Sequence, residues 1–219
     1  MQNLTSLFGG GLRIEGAIFD LDGVIVDTAK YHYLAWKRLA GELGFHFSED
    51  HNERLKGVSR MRSLDILLET GCIKMEDDQK KKAASRKNAW YVEYLCALDE
   101  TALLPGAKEY LSHLRSIGVK IALGSASKNA SLILERLKII DLFDAVIDGN
   151  SVTKAKPDPE IFLQGAAAIC IEPEKCIVFE DAAAGIEAAK AGGMKVIAVG
   201  NLEQLPGADL YIASLSDML

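Results

Sequence analysis

The acidic residues of this sequence gather directly after short apolar runs. Asp20 and Asp22 follow a run that ends at Phe19, and Glu180 and Asp181 follow the run "CIVF". Acids placed this closely repel one another unless a cation neutralises them, and hard cations with oxygen ligands fill that role. A small number of carboxylates suits Mg²⁺, which keeps several waters and contacts substrate phosphate. The acids therefore predict a Mg²⁺ site and an anionic substrate.

Serine and lysine residues follow other apolar runs and are suited to bind that anion. Ser125 and Ser127 lie in "GSAS" after "VKIAL", and Lys156 opens "KPDP" after "DAVIDG". A serine at the start of a helix offers its hydroxyl and nearby N–H groups, and a lysine supplies positive charge. A carboxylate can act as nucleophile towards phosphorus, which would give an aspartyl phosphate. Phosphoryl transfer is the chemistry that this combination favours.

The apolar runs predict buried strands that would position these side chains. Continuous apolar runs, without polar alternation, are typical of parallel sheets covered on both faces. We predict strands over residues 14–19 and within "VKIALGS", "DAVIDG", "CIVFED", "KVIAVG" and "DLYIAS". Helical patterns separate most of them, over residues 106–117, 129–137, 159–168 and 183–191. The alternation predicts an α/β fold with a doubly wound, Rossmann-like parallel sheet, in which ligands bind at the carboxyl ends of the strands.

Residues 28–101 interrupt this alternation. They are rich in charge, lack a strand-like run, and repeat apolar residues at helical spacing, as in Tyr33, Trp36 and Leu39. We expect an inserted all-helical cap domain over 28–101 and a core domain formed by 14–27 and 102–219. Residues 1–13, which contain "GGG", are expected to be a disordered N-terminal extension.

Composition excludes several classes of protein. The 219 residues are 49% hydrophobic, enough for a substantial core, and the formal net charge is −6. Excess negative charge argues against nucleic acid or a membrane surface as partner, because both attract positive charge. A small-molecule partner, a cytoplasmic location and a monomer are the expectations. The four cysteines show no metal-ligand spacing and are expected to be buried, reduced thiols.

Each motif alone has an ordinary structural explanation. A D-x-D after a strand is often a turn, and "GSAS" or "ED" before a helix is often simple capping or a preference for negative charge there. Their shared position at strand ends, in this order, with an insertion after the first, favours a functional explanation.

The segments "FDLDGV", "GSASKN", "KPDPEIF" and "EDAAAGIEAAKAGG" resemble the four motifs of the haloacid dehalogenase superfamily of phosphatases and phosphotransferases. The resemblance implies that Asp20 is the nucleophile and Asp22 the general acid/base. It implies that Ser125 and Lys156 hold the transferring phosphate, with Ala126 in the same loop. The implied metal ligands are Asp20, Asp22 (through its carbonyl), Glu180 and Asp181. Ala182 departs from the family pattern, in which serine is frequent.

The segments "DTAKYHYLAWKRLA", "NERLKGVSRMRSL" and "SRKNAWYV" resemble the β-phosphoglucomutase family within that superfamily. By this resemblance Arg60 would bind the phosphate that is not transferred, aided by Ser127, Lys128 and Asn129. His32 and Lys87 would act with Asp22 as the cap closes. Thr28 would lie at the hinge, and the sugar site would include Trp36, Gly57 and Asn88. The implied reaction converts β-glucose 1-phosphate to glucose 6-phosphate, with β-glucose 1,6-bisphosphate as primer and intermediate.

Three alternatives remain open at this point. The chain could be a sugar-phosphate phosphatase with the same fold, or a mutase for another hexose phosphate. It could also be a non-catalytic module that binds ligand or receives a phosphoryl group on an acidic cluster. Such a receiver needs neither a general acid at Asp22 nor a cap, so Mg²⁺-dependent turnover would exclude it.

Overall fold

A computed structural model describes residues 13–55 and 58–219. The chain divides into two compact units, one containing Asp99–Leu219 and the residues up to Asp27, the other spanning Thr28–Leu98. The predicted extension at residues 1–13 lies, apart from Arg13, outside the described residues.

The first unit is built on a six-stranded parallel sheet. The strands are β1 (Gly16–Phe19), β2 (Lys120–Gly124), β3 (Ala145–Ile147), β4 (Cys176–Glu180), β5 (Lys195–Val199) and β6 (Leu210–Ile212). Their spatial order is β3-β2-β1-β4-β5-β6, so β1 is central and the strand order reverses beside it. The fold predicted from the apolar runs is confirmed.

Both faces of the sheet are covered. Successive strand residues point to opposite faces, and side chains on both faces are buried. Ile18 belongs to a core cluster with Phe162 and Ile186. Its neighbour Phe19 stacks on Phe179 at 4.5 Å and meets the edge of the Tyr110 ring at 6.3 Å. Every residue of β1 is buried, which explains why its sequence shows no polar alternation.

Helices of this unit follow the strands in the chain. They are α5 (Ala107–Ser116), α6 (Ala130–Arg136), α7 (Glu160–Ala168) and α8 (Ala183–Ala191). The numbering starts at α5 because the helices of the second unit, described next, come earlier in the chain. Short 3₁₀ turns occur at Glu100–Ala102, Ile140–Leu142, Pro173–Lys175 and Leu215–Met218. The four predicted helices are present within one or two residues of the expected bounds.

The second unit contains only helices among its described residues: α1 (Ala29–Glu42), α2 (Glu49–Glu53), α3 (Arg60–Thr70) and α4 (Asp77–Leu95). Apolar side chains at helical spacing form its interior, because α1 and α3 both pack on α4. The buried residues include Trp36, Leu39, Leu64, Leu67 and Tyr91.

The expectation that all four cysteines are buried was wrong. The four are free thiols, but only Cys176 is buried. Cys72 and Cys170 each follow the end of a helix with positive φ values of 53° and 59°. Their N–H groups bond back to Glu69 and Ala167, the pattern of a Schellman helix end, which turns the side chain towards solvent. Cys96 ends α4 and is likewise exposed.

No helix within residues 13–55 and 58–219 has the length and apolar character needed to cross a bilayer.

Candidate active site

Three carboxylates meet at the carboxyl ends of the two central strands. Phe19 of β1 pairs in parallel register with Phe179 of β4, so Asp20 and Glu180 lie at the same level. The Asp20 N–H donates to the Phe179 carbonyl at 2.9 Å, which extends the strand pairing by one residue. Ligand oxygens of Asp20, Glu180 and Asp181 lie within 4.8 Å of one another. The structure thus brings together acids separated by about 160 positions in the chain.

Lys156 provides the positive charge in this cluster. Its side chain is only 2% exposed, and its Nζ donates to Asp20 Oδ1 at 2.5 Å and to Glu180 Oε2 at 2.8 Å. The Nζ also lies 4.6 Å from the centre of the Phe162 ring. Burial alone would lower the pKa of Lys156, but Asp20 and Glu180 outweigh burial and raise this pKa, so the lysine is charged.

The charge of Lys156 does not balance all three acids. Burial, with the neighbouring acids, raises the pKa of Asp181 from its ordinary value of 3.8 to about 9, against the opposing effect of Lys156. Burial also raises the pKa of Glu180 from 4.5 to about 7. Carboxyl groups held in this way favour either protonation or a bound cation. The residues therefore fit a hard divalent cation with oxygen ligands.

Two glycines allow the acids to approach this closely, and sequence reasoning did not identify them as site residues. A Cβ on Gly23, whose φ is +82°, would overlap the Asp181 carboxylate. A Cβ on Gly185, in α8, would overlap the Glu180 carboxyl group. A glycine directly after D-x-D was the available signal for Gly23. The sequence does not mark Gly185, because a glycine in a helical run does not reveal that the Glu180 side chain, five residues earlier, turns back towards it.

Asp22 lies between the nucleophile candidate and Gly23, in a tight turn. The Gly23 N–H donates to the Val26 carbonyl at 2.8 Å, and Ile25 and Val26 both donate to Leu21. Asp22 itself is half-buried, and its charge is one of the causes that raise the pKa of Asp181. The turn therefore places Asp22 in the electrostatic field of the cluster.

The Glu160 carboxylate binds the backbone of the segment that carries Lys156. Glu160, at the start of α7, accepts from the backbone N–H groups of Thr153 at 3.1 Å and Lys154 at 2.7 Å. The Thr153 hydroxyl donates to the same group at 3.0 Å. These bonds lower the pKa of Glu160. Asp158 accepts from the Glu160 N–H at 3.0 Å, which closes the segment on the helix.

The "SASKN" loop follows β2 at the same sheet edge. Ser125 is 1% exposed, and its hydroxyl accepts from the Ser127 N–H at 3.1 Å. The Ser127 hydroxyl in turn accepts from the Asn129 N–H at 3.3 Å. Ala126 is half-buried between them, and the Lys128 side chain is exposed. Two consecutive serine turns thus shape a loop that offers hydroxyl and backbone donors.

His32 and Lys87 form a pair inside the helical unit, in which the lysine is buried and the histidine is half-buried. Lys87 Nζ lies 2.8 Å from His32 Nδ1, and the lysine is 2% exposed. Because an ammonium group can only donate, Nδ1 accepts and the proton of the neutral imidazole is on Nε2. Burial, then Lys87, then Arg60 lower the pKa of His32 well below 6.5. Lys87 also lies over the rings of Trp36 at 4.5 Å and Tyr91 at 4.7 Å.

The remaining residues predicted for the helical unit are Thr28, Gly57, Arg60 and Asn88. Thr28 is fully buried and precedes α1. Arg60 is the first residue of α3 and is half-buried, and Ser59 caps that helix. Asn88 follows Lys87 on α4. Gly57 lies outside the residues that the structure describes.

Comparison with known proteins identifies relatives along most of the chain. A family model of haloacid dehalogenase-like hydrolases matches residues 14–193. The β-phosphoglucomutase of Bacillus subtilis is 44% identical over 94% of this chain and 92% of its own. A phosphorylated carbohydrates phosphatase of Thermotoga maritima is 37% identical over 84% of each chain. The crystal structure of a β-phosphoglucomutase from Clostridium difficile is similar at a TM-score of 0.91, with 43% identity over 94% of this chain and 93% of the other.

Proposed function

Because the chain belongs to the haloacid dehalogenase-like hydrolase family, we propose that it interconverts β-D-glucose 1-phosphate and D-glucose 6-phosphate through a phosphorylated Asp20. The observation that carries this proposal is the 44% identity, over 94% of the chain, to a β-phosphoglucomutase. The acid and lysine cluster at the ends of β1 and β4 supplies the groups that such a transfer requires.

Asp20 is the proposed nucleophile of the first half-reaction. Its carboxylate oxygen forms a bond to the phosphorus of β-glucose 1,6-bisphosphate, and the bond from phosphorus to the sugar oxygen breaks. Asp22 donates a proton to that oxygen as it leaves. Lys156, held beside Asp20 at 2.5 Å, offsets the negative charge on the transferring group, together with donors from Ser125 and Ala126.

The second half-reaction reverses these roles on another sugar. Asp22 removes the proton from the C6 hydroxyl of β-glucose 1-phosphate, and that oxygen attacks the phosphorus of phospho-Asp20. The bond from phosphorus to Asp20 breaks, which regenerates the free carboxylate and forms the bisphosphate. The bisphosphate must then bind in the opposite orientation to return its other phosphoryl group and leave glucose 6-phosphate. A primer of β-glucose 1,6-bisphosphate starts the cycle.

Asp20, Asp181 and the Asp22 carbonyl, with Glu180 in support, are the residues that we assign to hold Mg²⁺. The raised pKa values of Glu180 and Asp181 support this assignment, since a cation would replace the protons that these groups otherwise retain. When bound, the ion would neutralise charge on the transferring phosphoryl group.

The helical unit is assigned the recognition of the sugar and of its second phosphate. We propose that Arg60 binds the phosphate that is not transferred, with Ser127, Lys128 and Asn129. His32 and Lys87 are proposed to position Asp22, Thr28 to serve as the hinge, and Trp36, Gly57 and Asn88 to shape the sugar site. A phosphatase does not require a second phosphate site, so Arg60 is the discriminating residue.

The test is product analysis by ³¹P NMR. The protein, Mg²⁺, β-glucose 1-phosphate and a trace of β-glucose 1,6-bisphosphate should yield glucose 6-phosphate with little inorganic phosphate. Arg60→Ala should lose at least about 100-fold in turnover, because a charged contact to phosphate is lost. Arg62→Ala is the matched control, since Arg62 lies on the same helix and pairs with Glu69 at 3.2 Å in an exposed position.

Rapid release of inorganic phosphate would instead support a sugar-phosphate phosphatase. The Thermotoga maritima relative, at 37% identity, makes this the second candidate function. Conversion of a different hexose 1-phosphate at a higher kcat/KM would change the substrate assigned here but leave the mutase chemistry in place.

Two further expectations belong to the proposal. A negatively charged enzyme for a sugar phosphate, with unpaired thiols, suits the reducing cytoplasm. A monomer is proposed because a hinged helical unit needs freedom to move; size-exclusion chromatography with light scattering measures this directly.

A further inference from the structure

The turn that follows β3 is closed on itself by one carboxylate. Asp148 Oδ1 accepts from the Asn150 backbone N–H at 2.8 Å, and Asp148 Oδ2 accepts from Asn150 Nδ2 at 2.9 Å. The Ser151 N–H donates to the Asp148 carbonyl at 2.9 Å. The side-chain amide of Asn150 is therefore held in a fixed orientation.

This turn also bonds to the loop of residues 125–129, here called the phosphate loop. Asn150 Nδ2 donates to the Lys128 carbonyl at 3.1 Å, and the Gly149 N–H donates to the Ser127 carbonyl at 3.3 Å. A Cβ on Gly149 would collide with the Ala126 carbonyl oxygen. Three successive carbonyls of the phosphate loop thus lie against the turn.

The direction of these carbonyls matters for an anion. A carbonyl oxygen that faces a phosphate repels it, whereas an N–H group or hydroxyl attracts it. Donors from Gly149 and Asn150 hold the Ser127 and Lys128 carbonyls towards the turn. The serine turns described above then determine where the donors of the phosphate loop lie.

We propose that Asn150 and Gly149 are positioning residues for the phosphate that is not transferred. They act through Ser127, Lys128 and Asn129 and do not touch substrate themselves. This inference rests on the proposed function, which assigns those three residues to the second phosphate. The phosphoryl group in transfer is assigned instead to Asp20, Lys156, Ser125 and Ala126. The Asn150 side chain contacts none of these four residues, whereas Gly149 approaches the Ala126 carbonyl.

The test compares a two-site substrate with a small donor. Asn150→Ala and the similarly sized Asn150→Leu both remove the donor to the Lys128 carbonyl. With β-glucose 1-phosphate and primer, each should raise KM about threefold to tenfold, the range that the loss of one or two hydrogen bonds gives. With acetyl phosphate, which offers a single phosphoryl group to Asp20, phosphate release should change less than twofold.

Asn201→Ala is the control, because Asn201 is an exposed turn residue whose side chain contacts the Glu203 N–H; it should leave both substrates unaffected. Gly149→Ala should raise KM more than the Asn150 variants, since it forces the Ala126 carbonyl to move. An unchanged KM in both Asn150 variants, or an equal loss with both substrates, would overturn the proposal.

The test of Asn150 and Gly149 can fail or succeed independently of the test of the proposed function. Wild-type product analysis decides whether the enzyme is a mutase. If it instead hydrolyses sugar phosphates, the same variants are compared on the preferred sugar phosphate and on acetyl phosphate, and a KM effect limited to the sugar phosphate would still support the role of Asn150.

Discussion

At the scale of single residues, Lys156 supplies positive charge that offsets part of the negative charge of the acids in the site. It contacts Asp20 and Glu180 directly and is almost completely buried. Two carboxylates left without this partner would each need a proton or a metal ion. Lys156 thus serves the stability of the metal-free protein as well as the proposed chemistry.

Lys156→Ala should abolish most activity and destabilise the metal-free protein. We expect kcat to fall at least about 100-fold, because charge stabilisation is lost at the transferring group. At pH 8 without divalent cation, the free energy of unfolding should fall by about 3 kcal/mol, the cost typical of removing one partner of a buried ion pair. Turnover assays and urea denaturation measure the two effects.

Lys154→Ala is the matched control for this variant. Lys154 lies in the same segment, but its side chain is 69% exposed and pairs with Asp158 at 3.2 Å. Exposed pairs contribute little, so its removal should change the stability by less than about 0.5 kcal/mol. Equal effects of the two variants would contradict the role given to Lys156.

At the scale of secondary structure, helix α8 contains a glycine at a position where any side chain would collide with the Glu180 carboxyl group. Gly185 lies inside this helix, where glycine normally costs about 1 kcal/mol relative to alanine. The Glu180 carboxyl group occupies the space beside it. The helix therefore forgoes local stability so that Glu180 can reach Lys156.

Gly185→Ala should destabilise the protein, although helix propensity alone predicts the opposite. The added methyl group must displace Glu180, so we expect a loss of about 1–3 kcal/mol, as in other overpacked sites, and at least a tenfold lower kcat. Gly41→Ala tests the ordinary expectation, since Gly41 is the penultimate residue of α1 and an added Cβ would meet no atom outside the local helix backbone within 4 Å. That control should be neutral or slightly stabilising. A stabilised, active Gly185→Ala protein would show that Glu180 can relocate freely.

The sequence predicted those elements whose signal is local. Apolar runs identified the strands, and helical spacing identified Trp36 and Leu39 as interior residues of a helical unit. Burial of Cys72 and Cys170 was predicted wrongly, because composition does not reveal that a residue follows a helix end with positive φ. The contacts of Gly185 and Gly149 were likewise not predicted. Gly149 meets the backbone of Ala126, 23 residues earlier, and Gly185 meets the Glu180 side chain, whose orientation depends on Lys156.

At the scale of the whole molecule, the acid cluster couples folding to proton and metal binding. The pKa of Asp181 is raised to about 9 in the folded, metal-free protein. Folding therefore takes up protons at neutral pH, and the stability that these protons provide is present at low pH and lost as the pH rises towards 9.

We predict that the metal-free protein loses stability between pH 7 and 8.5 by up to about 1.4 kcal/mol per pH unit for one bound proton. His32, whose pKa is lowered in the folded protein, opposes this slope only near pH 7, where the unfolded imidazole, with its ordinary pKa of 6.5, still binds part of a proton. Mg²⁺ should reduce the slope, because the ion replaces the proton. Urea denaturation at several pH values, with EDTA or Mg²⁺, measures this.

Asp181→Asn is the decisive comparison for this pH dependence. The amide cannot take up a proton, so the slope should flatten and the response to Mg²⁺ should weaken. A variant that keeps the slope of the wild type would assign the proton uptake to another group.

The helical unit is inserted in the chain between strands β1 and β2, and this insertion point affects how the family can diversify. Adjacent parallel strands β1 and β2 pair although the chain between them includes all of Thr28–Leu98. The entropy of closing a loop grows only with the logarithm of its length, so an insertion that makes this connection three to four times longer costs about 1 kcal/mol. The junction therefore tolerates exchange of the entire inserted unit at little thermodynamic cost, so evolution can alter substrate preference there while the strands that carry Asp20 and Glu180 stay unchanged.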